Sequence, residues 1–175
     1  MKYHYRRSGV EGREEEFFLT VGRGSEGTLM TTLEWTPSED TYVTHFVAGK
    51  DGIYMVADSA PQSRELMLPA DLKPGTAWVA DGNPCRVMRT GAPLEDGGHE
   101  YRDCLVVERQ LRFEGVAPPV GGVIHQFYAP AVGLVLSRDV KTGRVMERLL
   151  EVTAVGEQEA AAEVRQQSVS LDKIR

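Results

Sequence analysis

The sequence predicts an all-β protein: a single strongly curved antiparallel sheet of about ten strands, half-barrel or barrel-like, with a short C-terminal helix or tail. Three observations predict it. Apolar and polar residues alternate through short runs rich in Val, Thr, Tyr and Phe, the pattern of strands with one buried face. Turn-forming Gly, Pro, Asn and Asp separate these runs at roughly 8–15-residue intervals. Helical composition is confined to 156–167, where Ala, Glu and Gln dominate and Val164 is the one clear core-seeking residue. Without helices to cover it, an antiparallel meander must bury one face on itself, by curling into a barrel or half-barrel or by folding into two layers.

In chain order the candidate strands are 2–8, 16–22, 28–36, 41–48, 52–57 and 64–68, then 76–80, 85–90, 101–113, 122–128, 133–139 and 145–155. The clearest hairpin joins 43–47 to 53–56 through Gly49-Lys50-Asp51-Gly52, whose glycines supply the backbone freedom of a tight reversal. A second turns at Lys141-Thr142-Gly143. Strands joined by such short loops run antiparallel, because a parallel pair needs a crossover of about a dozen residues. The 175 residues fit one domain, read as a β domain at 1–155 and a helical or disordered tail at 156–175.

Composition narrows the function classes. Twenty Lys and Arg face 26 Asp and Glu for a net charge of −6, and no stretch gathers the positive charge that a nucleic-acid binder needs. No apolar run approaches the ~18 residues of a transmembrane segment. The opening MKYHYRRSGV has no apolar core of a signal peptide, so the expected location is cytoplasmic unless a leader has been removed, in which case it is the cell envelope.

Several residue groups invite a chemical reading. Gly22-Arg23-Gly24-Ser25-Glu26-Gly27 has the glycine spacing of a dinucleotide-binding turn, but that motif must open a helix. The Thr-rich run that follows reads as a strand, so the segment is a glycine-rich hairpin loop. Cys85 and Cys104 flank a loop at 90–99; a symmetric hairpin sets them face to face, with Arg86 opposite Asp103 and Arg89 opposite Glu100. That register brings the two thiols within disulfide range, the alternative being two buried free thiols. A metal site from Cys85, Cys104, His99 and His125 lacks any local ligand pair, and none is expected. No serine occupies a G-x-S-x-G elbow. Glu14-Glu15-Glu16 reads as a solvated strand edge that repels pairing with other chains. Most aromatics, among them Trp35, Trp78, Tyr5, Tyr128, Phe17 and Phe127, fall in candidate strands, where they pack the sheet or line an apolar cleft.

Three passages carry a family likeness. Leu68-Pro69-Ala70-Asp71-Leu72-Lys73-Pro74-Gly75-Thr76-Ala77-Trp78 is similar to a segment with Pro, Leu and then Gly-x-x-Trp. Tyr101-Arg102-Asp103-Cys104-Leu105-Val106-Val107 resembles an aromatic-x-Asp-Cys-aliphatic strand. Phe127-Tyr128-Ala129-Pro130-Ala131-Val132-Gly133-Leu134-Val135 resembles a Tyr-Ala-x-Gly-Val-Gly-Leu-Val segment, with Ala131 where Gly is more frequent. Together they resemble uncharacterised envelope proteins of Gram-positive bacteria, many of them lipoproteins, with a curved antiparallel sheet like that of the carriers LolA and LppX. The resemblance implies a turn glycine, a packed Trp and a bulged Tyr-Ala-Pro corner, and it transfers no catalytic residue. It implies a non-enzymatic, envelope-associated domain whose concave face meets a lipid, another hydrophobic molecule or an envelope protein, with no cofactor. The alternative is an interaction module using sheet edges or the convex face; a hydrolase or metal enzyme is the least expected.

Overall fold

A computed structural model gives the fold and describes residues 1–8, 13–23, 29–36, 41–57, 60–112 and 121–154. Twelve strands form among the described residues: β1 (Lys2–Ser8), β2 (Glu14–Arg23), β3 (Leu29–Thr36), β4 (Thr41–Ala48), β5 (Gly52–Ala57) and β6 (Ala60–Pro69), followed by β7 (Ala77–Ala80), β8 (Asn83–Asp96), β9 (His99–Arg112), β10 (Gly121–Ala129), β11 (Gly133–Asp139) and β12 (Val145–Thr153). All belong to one antiparallel sheet in the order β6-β5-β4-β3-β2-β1-β12-β11-β10-β9-β8-β7. The count exceeds the expected ten because every candidate run forms a strand of its own, β6 and β8 being much longer than their apolar cores. The expected C-terminal helix or tail at 156–175 lies outside the described residues.

Every ladder but one joins strands adjacent in sequence. The exception pairs β1 with β12, from Lys2 opposite Thr153 to Arg7 opposite Glu147, with a bulge between His4 and Tyr5. That closure moves the free edges of the sheet to β6 and β7, which follow one another in the chain. The sheet curls into a half-barrel that brings these edges together without a ladder. The Trp78 indole donates to the Met67 carbonyl at 3.1 Å, and the Glu65 carboxylate accepts from the Asp81 amide.

Among the described residues two apolar clusters form the core. The larger takes Tyr5, Phe17, Ala92, Leu94, Cys104, Val106, Phe127, Ala129, Val135, Leu136 and Leu149; the smaller joins Ala80, Cys85 and Val107 to Met67, Trp78, Leu105 and Tyr128. Val106 and Val107 fall in different clusters, and successive strand residues point to opposite faces, so β9 is covered on both sides. The covering element on one side is the β8–β9 hairpin itself. Three register shifts bend it, and its tip reaches β12, where Arg148 Nη2 donates to Asp96 Oδ1 at 2.9 Å and Nε lies 2.6 Å from Oδ2. Arg148 pairs with Leu136, and Leu136 with Phe127, so the tip lies over that face of the sheet.

This hairpin departs from the expected register. The turn is the dipeptide Gly97-Gly98, with φ of 57° and 83°, the two left-handed residues of a type I′ turn. The axis of the hairpin therefore sits closer to the tip than a loop spanning 90–99 would put it. Cys85 faces Arg109 and Cys104 faces Ala92, and both are free, buried thiols in different clusters. Glu14-Glu15-Glu16 differs as well: β2 is an interior strand between β1 and β3. These carboxylates meet arginines across the ladder, Arg6 with Glu14 at 3.5 Å and Glu16 at 2.9 Å, and Arg7 with Glu15 at 3.0 Å. They set register rather than guard an edge.

Both expected hairpin turns form: Gly49 N donates to the Gly52 carbonyl at 2.7 Å, and the Asp139 carboxylate accepts from the Thr142 amide at 2.6 Å and its hydroxyl at 2.7 Å. Trp78 packs in the smaller cluster, and β11 is bulged at Val135, opposite the Phe127–Tyr128 step of β10.

Three outcomes follow. The denatured, unreduced protein should titrate two free thiols per chain. Ala131 has φ of +60°, a conformation costly for any residue with a Cβ, so Ala131→Gly should raise the unfolding free energy by about 1 kcal/mol in urea titrations. A Cβ on Gly52 would meet the Leu68 carbonyl oxygen at 2.3 Å, so Gly52→Ala should cost about 1–3 kcal/mol in the same measurement.

Candidate functional site

Residues directly opposite in an antiparallel ladder point to the same face, which lets the ladders define a surface. Val107 faces Gln126, Gln126 faces Ser137, Ser137 faces Glu147, and Glu147 faces Arg7. A parallel row runs from Trp78 through Cys85 and Arg109 to Ile124. Together the rows carry the smaller cluster at one end and a polar patch at the other. Met67 of β6 packs onto the same cluster, so the sheet curls toward this face.

The curl leaves a cleft of about 920 Å³ here, lined by Arg7, Asn83, Arg109, Gln126, Ser137 and Glu147, with Ser8, Asp81, Gly82, Leu111, Arg112, Ile124 and Met146 completing the wall. A smaller hollow of about 470 Å³ adjoins it, sharing Leu111 and Arg112 and including Val123, Asp139 and Val140.

The polar groups of the cleft are partly anchored. Asn83 is buried; its carboxamide donates to the Asp81 carbonyl at 2.5 Å and accepts from the Arg112 amide at 2.8 Å, tying the β7–β8 turn to β9. Arg109 Nη2 donates to Asp81 Oδ2 at 3.1 Å and to the Ala80 carbonyl at 3.4 Å. Its Nε is buried with no hydrogen-bond partner among the described residues. Ser137, only 3% exposed, sits between Gln126 and Glu147.

Burial pushes the Glu147 carboxyl above the usual carboxylate range, and the Arg7 guanidinium pulls it back only in part. Burial likewise drives the Tyr128 phenol up to about 12 against the opposing pull of Arg109, and it raises Tyr5, with Glu147 adding to the effect. The Tyr5 hydroxyl donates to the Leu134 carbonyl at 2.8 Å. Burial also raises the Cys85 thiol, with Arg109 opposing. Burial thus favours the neutral forms of Glu147, Tyr128 and Cys85 on this face.

The residues singled out from the sequence fall largely elsewhere. Cys104 belongs to the larger cluster, while Cys85 lies beside Arg109 on the cleft face. His99 lies tilted against Tyr101 near the hairpin tip, their ring centroids 6.2 Å apart, and His125 approaches Glu108 at 3.9 Å on the opposite face of β10 from Gln126. No three of His, Cys, Asp and Glu gather among the described residues. Gly22 belongs to β2 and pairs with Met30 of β3, so strand follows strand; residues 24–28 lie outside the described residues. Tyr5, Phe17, Phe127, Trp78 and Tyr128 are packed in the two clusters; the Trp35 side chain lies outside the described residues.

Arg7, Arg109, Gln126, Ser137 and Glu147 were not legible as a site. They come from five strands, and the only local signal was a polar residue at an inward position of an otherwise alternating run. The chain matches no family model, no curated protein and no solved structure.

Glu147 is more favourably placed as the neutral acid than as the anion. Its contribution to stability is therefore complete below the ordinary carboxylate titration near 4.5 and is lost as pH rises through its raised folded value. Glu147→Gln should be more stable than the parent in alkaline buffer, with the gap closing in mild acid, when both are unfolded by urea across pH.

Proposed function

We propose that the protein is a non-enzymatic, envelope-associated binding domain that takes a small amphiphilic molecule into the cleft. The apolar body of the ligand lies against Leu111, Ile124 and Met146, and its polar end lies among Arg7, Arg109, Gln126 and Ser137. The observation that carries this reading is the cleft itself: its volume of about 920 Å³ falls in the range of small-molecule sites, which run to roughly 300–1,000 Å³. Leu111, Ile124 and Met146 line it beside convergent polar groups, a mixed wall suited to an amphiphile. The likeness of three sequence segments to bacterial envelope proteins, whose expected curved sheet is like that of the carriers LolA and LppX, favours a lipid-like occupant.

Binding fits this lining better than turnover. Among its described residues the cations are arginines, which hold charge but exchange no proton, and none is His, Cys or Lys. Assembly through a sheet edge or the convex face has less support. Val79 on edge strand β7 is 58% exposed, but single exposed apolar residues are ordinary on protein surfaces.

Delipidated protein should bind an anionic naphthalene dye with saturable fluorescence, and native mass spectrometry should show a one-to-one adduct. Gln126→Trp places a large ring in the cleft, and should weaken dye binding about tenfold or more while leaving cooperative unfolding intact. Dye binding that survives this substitution, or no saturable binding at all, would overturn the proposal.

A further inference from the structure

Resting on that reading, we infer that the ligand is a long-chain amphiphile whose tail leaves the cleft through a notch at Gly122 and ends in the smaller hollow, against Val123 and Val140. The inward-facing row of β10 grades from polar to apolar toward the rim of the sheet. Gln126 stands opposite Ser137, Ile124 comes next, and Gly122 ends the row opposite Leu111 of β9. At about 3.3 Å per residue, Gln126 and Gly122 lie about 13 Å apart along the strand. A polar end held among Arg7, Arg109, Gln126 and Ser137 therefore sends the apolar body past Ile124 and Leu111 to the rim.

At the rim the wall has a gap. Leu111 and Arg112 line both cavities, so the cleft of about 920 Å³ and the hollow of about 470 Å³ meet at them. Opposite Leu111 the ladder carries a glycine, and among the described residues a Cβ there would approach only Asp139 Oδ2, at 3.8 Å. Asp139 is held to the β11–β12 turn, where its other carboxylate oxygen accepts from the Thr142 amide and hydroxyl. Beyond the notch, the Val140 amide donates to the Val123 carbonyl at 2.8 Å, which fixes these two valines side by side in the hollow. Val140 is 47% exposed, apolar surface that an alkyl chain removes from water. Arg112 and Lys141 add aliphatic stems that lie along such a chain while their charges stay in solvent. Gly122 thus sets the length of tail the protein accepts, separately from the groups that meet its polar end.

Alkylphosphocholines from octyl to tetradecyl share one zwitterionic head and differ only in the tail, so calorimetric titration below their micellar thresholds reads the path of the chain. In the parent protein affinity should keep rising to tetradecyl, by up to about fourfold per buried methylene. Gly122 is outside the left-handed region and a β-branched residue suits a strand, so Gly122→Val fills the notch while the sheet persists. That variant should keep the octyl affinity and lose about tenfold or more for the tetradecyl ligand. Val140→Ser tests the same path from an exposed position outside the core, and should weaken the tetradecyl ligand alone. A tetradecyl affinity unchanged in either variant, or an equal loss at both chain lengths, overturns this inference while leaving the binding reading in place. Binding at no chain length overturns the binding reading itself.

Discussion

The pairing of β1 with β12 is the contact on which the rest of the molecule depends. Without it the chain is two separate six-strand meanders, one running from β1 to β6 and the other from β7 to β12. Each would present an unpaired strand where the other now lies, an arrangement that invites association with other chains. Every other ladder closes a short loop, whereas this one joins residues about as far apart as the described chain allows. Loop-closure entropy grows only slowly with length, so the distance costs little in stability and more in the time needed to find the register. Cross-strand charges fix the neighbouring ladder instead: Arg6 and Arg7 of β1 hold Glu14, Glu15 and Glu16 of β2 on the side away from β12.

The cleft inherits this dependence. Arg7 arrives from β1 and Glu147 from β12, and only the terminal pairing sets one opposite the other. The remaining polar members are fixed by local ladders among β8 to β11, and the Asn83 bridge to Arg112 holds the β7–β8 turn against β9. Half of the site is thus built by short-range geometry and half by the longest-range contact in the sheet. The acid at its centre gains no hydrogen bond among the described residues that would favour its ionised form, and its neighbours leave it closer to neutral than a surface glutamate.

The strand pattern was legible because alternation and turn residues are local properties. All twelve runs could be read from period-two patterning, and the turns at Gly49 to Gly52 and at Thr142-Gly143 from composition alone. The register of β8 against β9 was not, because three bulges and a two-residue Gly97-Gly98 turn shift it, and a symmetric loop gives no sign of either. Glu14 to Glu16 looked like an edge because their partners, Arg6 and Arg7, are charged too, and a charged run reads the same in an edge strand and in a salt-bridged interior one. The cleft stayed hidden for a further reason. Which face a residue occupies flips with each bulge, so side-chain direction cannot be carried along the chain from alternation alone.

The free edges of the sheet are sequence neighbours, while the first and last strands are spatial ones, and this arrangement has a topological consequence. Lys2 lies opposite Thr153, so a short loop could bridge them, and the chain could be opened within the 70–76 connection between β6 and β7. Such a circular permutant would keep every ladder of the parent and turn its one distant pairing into an ordinary hairpin. The architecture is in effect a ring of strands, and the position of the break in that ring is a property of the gene rather than of the sheet.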